Sequence, residues 1–247
     1  MQYREYGSER QKTLILLHGG GLSWWNYREQ AQLLEKDFRV ILPILDGHAL
    51  SDRPFTSIEE NAAEIISFID EHCGGAVDLL GGLSLGAQIA VEMLSQREKL
   101  CRCALIESAM LIPSKLTHSL VAPALSGSYG LIRNRSFART QFRSLHIKEE
   151  LFEDYYRDSC RIGKSDMIAF LQANALYALK PSIARCGAKL HVYAAGKEPR
   201  GVLRSAELLR GTVDGCDLTV LPGLYHGEFS LNHADEYARA VRELLKS

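Results

Sequence analysis

The apolar positions of the chain fall into short runs that end in glycine or polar turns. Six such runs occupy residues 13–17, 39–43, 76–80, 103–106, 189–194 and 217–221. Uninterrupted apolar runs of this length are typical of strands that are buried on both faces of a parallel sheet. Longer segments with helical spacing separate most of them. This alternation predicts an α/β fold, with a mostly parallel sheet covered by helices on both faces.

Three of the intervening segments carry clear helical signals. Ser57, followed three residues later by Glu60, has the pattern of a helix cap. Residues 85–95 and 233–246 place their apolar side chains at helical spacing, so each is expected to cover one face of the sheet.

Residues 111–182 interrupt the alternation. No clear strand occurs there, and residues 149–156 and 167–171 have the composition of helices. A structureless loop of this length is uncommon inside a compact domain. The sequence therefore predicts a core formed by residues 1–110 and 183–247, with a helical insertion at 111–182.

Composition and charge exclude several classes of function. The formal net charge of -1 supplies no excess of cations for binding nucleic acid. No apolar stretch approaches the roughly 20 residues that span a bilayer, and the first residues lack an apolar signal-peptide core, so a cytoplasmic location is expected. The six cysteines show no metal-binding spacing and are expected to be reduced. Neither a metal nor an organic cofactor is expected.

Residues 82–86 read Gly-Leu-Ser-Leu-Gly and connect an apolar strand to a helix. In this context G-x-S-x-G describes a sharp turn that presents the serine at a helix N-terminus, where backbone N–H groups favour negative charge. The flanking glycines let two backbone segments approach closely. Ser84 is therefore the candidate nucleophile.

Two further segments fit the same chemistry. Residues 18–21, His-Gly-Gly-Gly, follow the first apolar run, and one of their N–H groups, together with that of Leu85, is suited to bind an acyl oxyanion. His226 lies between the last strand and the last helix, where it can reach the serine. A hydroxyl nucleophile needs such an adjacent base.

These segments, in this order, resemble the α/β-hydrolase superfamily. The matching residues are 18–21, 46–52, 82–86 and 225–227. The resemblance implies about eight strands, a lid at residues 111–182, and an oxyanion hole formed by Gly20 and Leu85. The chain departs from the family in having only about a dozen residues before the first parallel strand, which leaves room for a minimal hairpin. It also has Ala49 in place of a glycine in the loop at 46–52, which we expect to be structural.

The acid that orients His226 is assigned from the same resemblance. In the family it usually follows the strand after the lid, in a turn resembling Gly-x-x-Asp-Pro; here Glu198 precedes Pro199. Glu107, at the end of the strand before the lid, is the alternative. Asp214 and Asp217 lie at the far end of the last strand and are discounted.

The resemblance implies a serine hydrolase that cleaves a small ester or related acyl compound. One alternative is a C–C bond hydrolase or lyase acting on a small carboxylic acid, which would need a cationic anchor. The sequence offers four candidates in the insertion: Arg133, Arg135, Arg139 and Arg143. The other alternative is a ligand receptor without catalysis. A small-molecule substrate is expected, and a homodimer remains open.

The insertion is expected to line an apolar pocket over Ser84. The residues predicted to contribute are Phe137, Phe142, Phe152, Tyr155, Phe170 and Leu171. Trp24 and Trp25 are each expected either to add a wall to this pocket or to belong to the core.

Overall fold

A computed structural model describes residues 1–246 and contains one sheet of seven strands. The strands are β1 Tyr3–Tyr6, β2 Thr13–Leu17, β3 Arg39–Pro43, β4 Val77–Leu83, β5 Cys101–Glu107, β6 Lys189–Ala195 and β7 Asp217–Leu221. Their spatial order is β1-β3-β2-β4-β5-β6-β7. Strand β1 runs antiparallel to β3, and every other neighbouring pair is parallel. The predicted mostly parallel α/β fold is confirmed. The strand count is seven rather than about eight, because a single short strand precedes β2.

Helices cover both faces of this sheet. They are α1 Arg28–Leu34, α2 Ile58–His72, α3 Leu85–Gln96, α4 Lys115–Ser128, α5 Arg135–Ser144, α6 Phe152–Ser159, α7 Lys164–Leu176, α8 Arg200–Thr212, α9 Glu228–Asn232 and α10 Ala234–Lys246. The Ser57 side chain caps α2 by accepting the N–H of Glu60, as the sequence predicts.

Alternate side chains of β2 enter two separate cores, as the pleat of a strand requires. Ile15 and Leu17 pack beneath α2, α3 and α8, whereas Leu14 and Leu16 pack beneath α1 and α10. Each face of the sheet therefore has its own apolar layer, and the ends of the central strands are held between them.

Residues 111–182 form helices α4 to α7 with short 3-10 turns between them. Their two ends meet at the sheet: Leu179 N–H donates to the Leu111 carbonyl at 3.1 Å, and Ser114 N–H donates to the Ala175 carbonyl at 2.7 Å. The insertion thus leaves the core after β5 and returns beside its point of departure. The division into a core and a lid domain stays a prediction.

Buried side-chain hydrogen bonds fasten the insertion to the core. Trp25 Nε1 donates to Asp158 Oδ2 at 2.9 Å, and Tyr177 OH donates to Glu92 Oε2 at 3.0 Å. Both carboxylates are fully buried. By contrast, α4 contributes no buried residue. The insertion is therefore held at its base and left exposed on its outer side.

Candidate active site

Ser84 lies at the junction of β4 and α3 with φ 53° and ψ −111°. This is the left-handed region, which a non-glycine residue adopts only under constraint. A Cβ atom on Gly82 would lie 2.5 Å from the Gly86 backbone, and one on Gly86 would lie 2.2 Å from the Leu17 carbonyl oxygen. Both positions flanking the serine therefore require glycine. The sharp turn expected from the motif is present.

Backbone contacts fix the orientation of this turn. Ser84 N–H donates to the Glu107 carbonyl at 2.9 Å, which ties the turn to the end of β5. Leu85 is the first residue of α3, so its N–H has no acceptor within the helix. That N–H and the positive end of the helix dipole favour an anion beside Ser84.

The glycine loop after β2 is braced on both sides of Gly20. Gly19 N–H donates to Asn26 Oδ1 at 3.2 Å, and Gly21 N–H donates to His48 Nε2 at 3.0 Å. Gly20 lines the same cavity as Ser84. The neighbours of Gly20 are thus held in place by side chains from two other segments.

Two buried histidines support this loop, and both are neutral. His18 Nε2 accepts the N–H of Leu45 at 3.1 Å and His48 Nε2 accepts that of Gly21, so in each ring the proton lies on Nδ1. Burial lowers the pKa of His18 to about 3 and that of His48 to about 4. The sequence shows both residues as motif positions but gives no sign that they hold the loop.

His226 and Glu198 form a hydrogen-bonded pair at the ends of β6 and β7. His226 Nδ1 donates to Glu198 Oε2 at 2.8 Å, and the side chains are 45% and 0% exposed, respectively. Desolvation lowers the pKa of His226, but the hydrogen bond and negative charge of Glu198 outweigh it. The pKa of His226 is therefore raised above its usual 6.5.

Comparison with models of protein families shows which family the chain belongs to. The model of the alpha/beta hydrolase family matches residues 14–240. The chain belongs to the alpha/beta hydrolase family. The match spans both parts of the core and the insertion between them.

Solved structures with the same fold include enzymes of different chemistry. An esterase from Exiguobacterium antarcticum has a TM-score of 0.83 and 19% identity, over 99% of this chain and 95% of that chain. An enol-lactonase from Burkholderia xenovorans has a TM-score of 0.82 and 16% identity, over 100% and 96%. A meta-cleavage product hydrolase from Pseudomonas fluorescens has a TM-score of 0.79 and 19% identity, over 99% and 93%. At these identities the likeness shows the fold alone.

Glu107, the alternative acid that the sequence proposes, has different neighbours from Glu198. Its Oε1 accepts the N–H of Ser230 at 3.2 Å, and its Oε2 has no hydrogen-bond partner within residues 1–246. Burial raises the pKa of Glu107 to about 7. Of the two acids that the sequence proposes, Glu198 is the one hydrogen-bonded to His226.

Two adjoining cavities open beside Ser84. The smaller, about 80 Å³, is lined by Ser84 and His226, by Gly20 of the glycine loop, and by Leu145 and Ile147 of the insertion. The larger, about 280 Å³, lies between that loop and the insertion. Gly20, Leu22 and Leu145 line both. The insertion thus reaches the cavity that contains the serine.

The larger cavity includes only part of the predicted aromatic lining. Phe137, Tyr155, Phe170 and Leu171 line it. Phe142 and Phe152 instead pack against each other at 5.4 Å between ring centroids within the core.

The two tryptophans lie outside both cavities. Trp25 is 1% exposed and belongs to the core, where Asp158 accepts its indole N–H. Trp24 packs against the guanidinium groups of Arg4 and Arg28 at 5.6 and 5.7 Å from its ring. Helical periodicity locates an apolar face but does not say whether that face meets a cavity or a neighbouring helix.

The arginines proposed as a cationic anchor also lie outside both cavities. Arg135 pairs with Glu153, and Arg139 pairs with Glu149 at 2.5 Å while its guanidinium lies over the Phe152 ring. Within the part of the chain that the structure describes, no lysine or arginine lines either cavity.

Two structural absences hold for residues 1–246. No helix there is long and apolar enough to cross a bilayer. The same residues contain no cluster of three or more histidine, cysteine, aspartate or glutamate side chains that could hold a metal ion.

Proposed function

We propose that this alpha/beta hydrolase is a serine esterase in which Ser84 is the nucleophile, His226 the general base and Glu198 the acid that orients it. The observation that carries the proposal is one cavity lined by a serine in a constrained turn and by a histidine hydrogen-bonded to a buried carboxylate. A serine hydroxyl is a weak nucleophile, and a base held by a third group is what activates it.

In the proposed reaction Ser84 Oγ attacks the acyl carbon as His226 Nε2 takes the hydroxyl proton. The N–H groups of Gly20 and Leu85 stabilise the oxyanion that forms. His226 returns the proton to the departing alcohol, which leaves an acyl-enzyme on Ser84. His226 then deprotonates a water molecule that attacks the acyl carbon, and it donates this proton to Ser84 Oγ as the C–O bond to the serine breaks and the acid leaves. Glu198 stabilises the imidazolium in both halves of the reaction.

The insertion acts as a lid in this proposal, because Leu145 and Ile147 line the cavity that contains Ser84. Apart from His226, the lining of both cavities is uncharged, and the absence of a lysine or arginine there favours an uncharged ester over a small carboxylate. A buried carboxylate without a cationic partner would be strongly destabilised. This argues against the C–C hydrolase or lyase alternative.

A fluorophosphonate probe tests the nucleophile directly. Labelling of the wild-type protein but not of Ser84→Ala, with turnover reduced at least about 10³-fold, supports the proposal. Equal labelling of both proteins would contradict it. Absence of labelling in wild-type protein would favour a receptor without catalysis.

A further inference from the structure

We infer that the substrate is an uncharged ester with a long apolar acyl group and a small alcohol, and that the acyl group occupies the larger cavity. The inference rests on the proposed function. It concerns which of the two arms of an ester each cavity accepts.

The position of His226 distinguishes the two arms. In the tetrahedral intermediate the leaving oxygen must lie within reach of the base that protonates it, about 2.6–3.2 Å. The smaller cavity is lined by both Ser84 and His226, whereas the larger is lined by neither. The alcohol is therefore released into the smaller cavity.

The remaining arm passes the oxyanion loop. Gly20, Leu22 and Leu145 line both cavities, so they surround the connection between them. A group that reaches the larger cavity passes Gly20, whose N–H belongs to the proposed oxyanion hole, and enters a space that His226 does not line. In an ester that group is the acyl chain.

The volumes agree with this orientation. The larger cavity has a volume of about 280 Å³ and the smaller one of about 80 Å³, so the larger can hold the bulkier arm. An alcohol too large for the smaller cavity would extend past the half-exposed His226 ring into water. Each carbon atom added to the acyl arm should therefore bury more apolar surface, and improve binding more, than a carbon atom added to the alcohol arm.

The lining of the larger cavity also matches an aliphatic chain. Ile132, Met167, Phe170 and Leu171 supply apolar surface, and no charged residue interrupts it. The polar side chains Ser128, Gln141 and Ser159 are uncharged. An aliphatic chain placed here would remove apolar surface from water.

Two isomeric esters test the orientation of the substrate without a difference in its composition. Ethyl hexanoate and hexyl acetate have the same composition, and they differ in which arm carries the long chain. We expect the full-length protein to hydrolyse ethyl hexanoate with a kcat/KM at least about tenfold higher, measured by titration of the released acid.

A matched pair of variants on α7 locates the effect. Leu171 lines the larger cavity, whereas Leu176, on the same helix, is 41% exposed and lines neither cavity. Leu171→Trp should fill the cavity and lower the ratio of the two kcat/KM values at least about fivefold. Leu176→Trp should keep the wild-type ratio. Because the ratio is independent of the amount of active protein, partial unfolding does not affect it.

Each outcome is decisive. A ratio near one, or a preference for hexyl acetate, overturns the assigned orientation while the esterase proposal stands. Labelling of Ser84 without turnover of either ester overturns the substrate class alone. If neither labelling nor turnover occurs, the proposed function itself is wrong.

Discussion

The strand ends that carry Ser84 and the helical insertion above them are built by different means. The turn at Ser84 is fixed by backbone against backbone, since Gly86 packs directly on the Leu17 carbonyl. The insertion is fixed by individual side chains such as Trp25 and Tyr177, which donate to buried carboxylates. Its helix α4 buries no residue at all.

This difference separates the proposed chemistry from the proposed specificity. Backbone packing restricts a position to a particular conformation, so the groups around Ser84 tolerate little movement. Apolar side chains of the insertion also pack into the core, but side-chain contacts can be replaced one at a time, so the lining of the larger cavity tolerates more variation than the turn does. The effects of substitutions in the two regions should therefore differ in kind as well as in size.

The largest effect is expected from Glu198→Gln. The neutral amide no longer stabilises an imidazolium, so kcat should fall about 10³- to 10⁴-fold on a short ester. The pKa of His226 is raised chiefly by Glu198. The acidic limb of the kcat/KM profile, where His226 becomes protonated and inactive, should therefore move to lower pH in this variant.

Glu107→Gln is the matched control for that change. It keeps an oxygen that can accept the Ser230 N–H, and we expect kcat to stay within about tenfold of wild type. Should Glu107→Gln lose far more turnover than Glu198→Gln at equal thermal stability, the acid role belongs to Glu107.

A smaller effect, on stability, comes from adding one methyl group in each region. Gly86→Ala places Cβ against the Leu17 carbonyl, and we expect a loss of about 3 kcal/mol or more in the free energy of unfolding. Gly127 lies in α4, and a Cβ added there would have no other part of the protein within 4 Å. Gly127→Ala should therefore raise the free energy of unfolding by about 0.5–1 kcal/mol through helix propensity. Urea unfolding measures both, and equal stability of the two variants would refute the comparison.

A loss smaller than that of Gly86→Ala is expected where a single side chain fastens the insertion. Trp25→Phe removes the indole donor but leaves Asp158 paired with Arg157 at 2.7 Å, so the loss should be about 1–2 kcal/mol. Trp24→Phe is the adjacent control and should cost less than about 0.5 kcal/mol. Limited proteolysis should cut residues 111–182 faster in Trp25→Phe alone; unchanged cleavage would show that this bond does not fasten the insertion.

Strands β2 to β7 were predictable from sequence because each leaves a local apolar run. The runs at 13–17, 39–43 and 217–221 coincide with strands β2, β3 and β7. Strand β4 extends beyond its predicted end through Gly81 and Gly82, since glycine stops an apolar pattern without stopping the ladder. Strand β1 was not assigned, because Tyr3–Tyr6 has no distinctive pattern and is identified only by its pairing with β3.

The pairing of His226 with Glu198 was proposed from the family resemblance, which places the acid in the turn after the strand that follows the lid. The hydrogen bonds that support the glycine loop were not predicted from the sequence. His48 lies 27 residues from Gly21, and nothing local to either residue signals the hydrogen bond between them. Phe142 and Phe152 illustrate the same limit, because their burial depends on neighbours that periodicity does not identify.

The hydrogen bonds that join the two ends of the insertion have a consequence for how this protein can change. Because Leu111 and Leu179 are hydrogen-bonded to each other, the two ends of the insertion lie side by side whatever the length of the segment between them. Doubling the length of such a loop costs only about 0.6 kcal/mol of closure entropy. The gene segment for residues 111–182 can thus be lengthened, shortened or replaced by recombination while β5 and β6 stay paired. Under the proposed function, exchange of this one segment would change the lining of the larger cavity while Ser84, His226 and Glu198 stay in place.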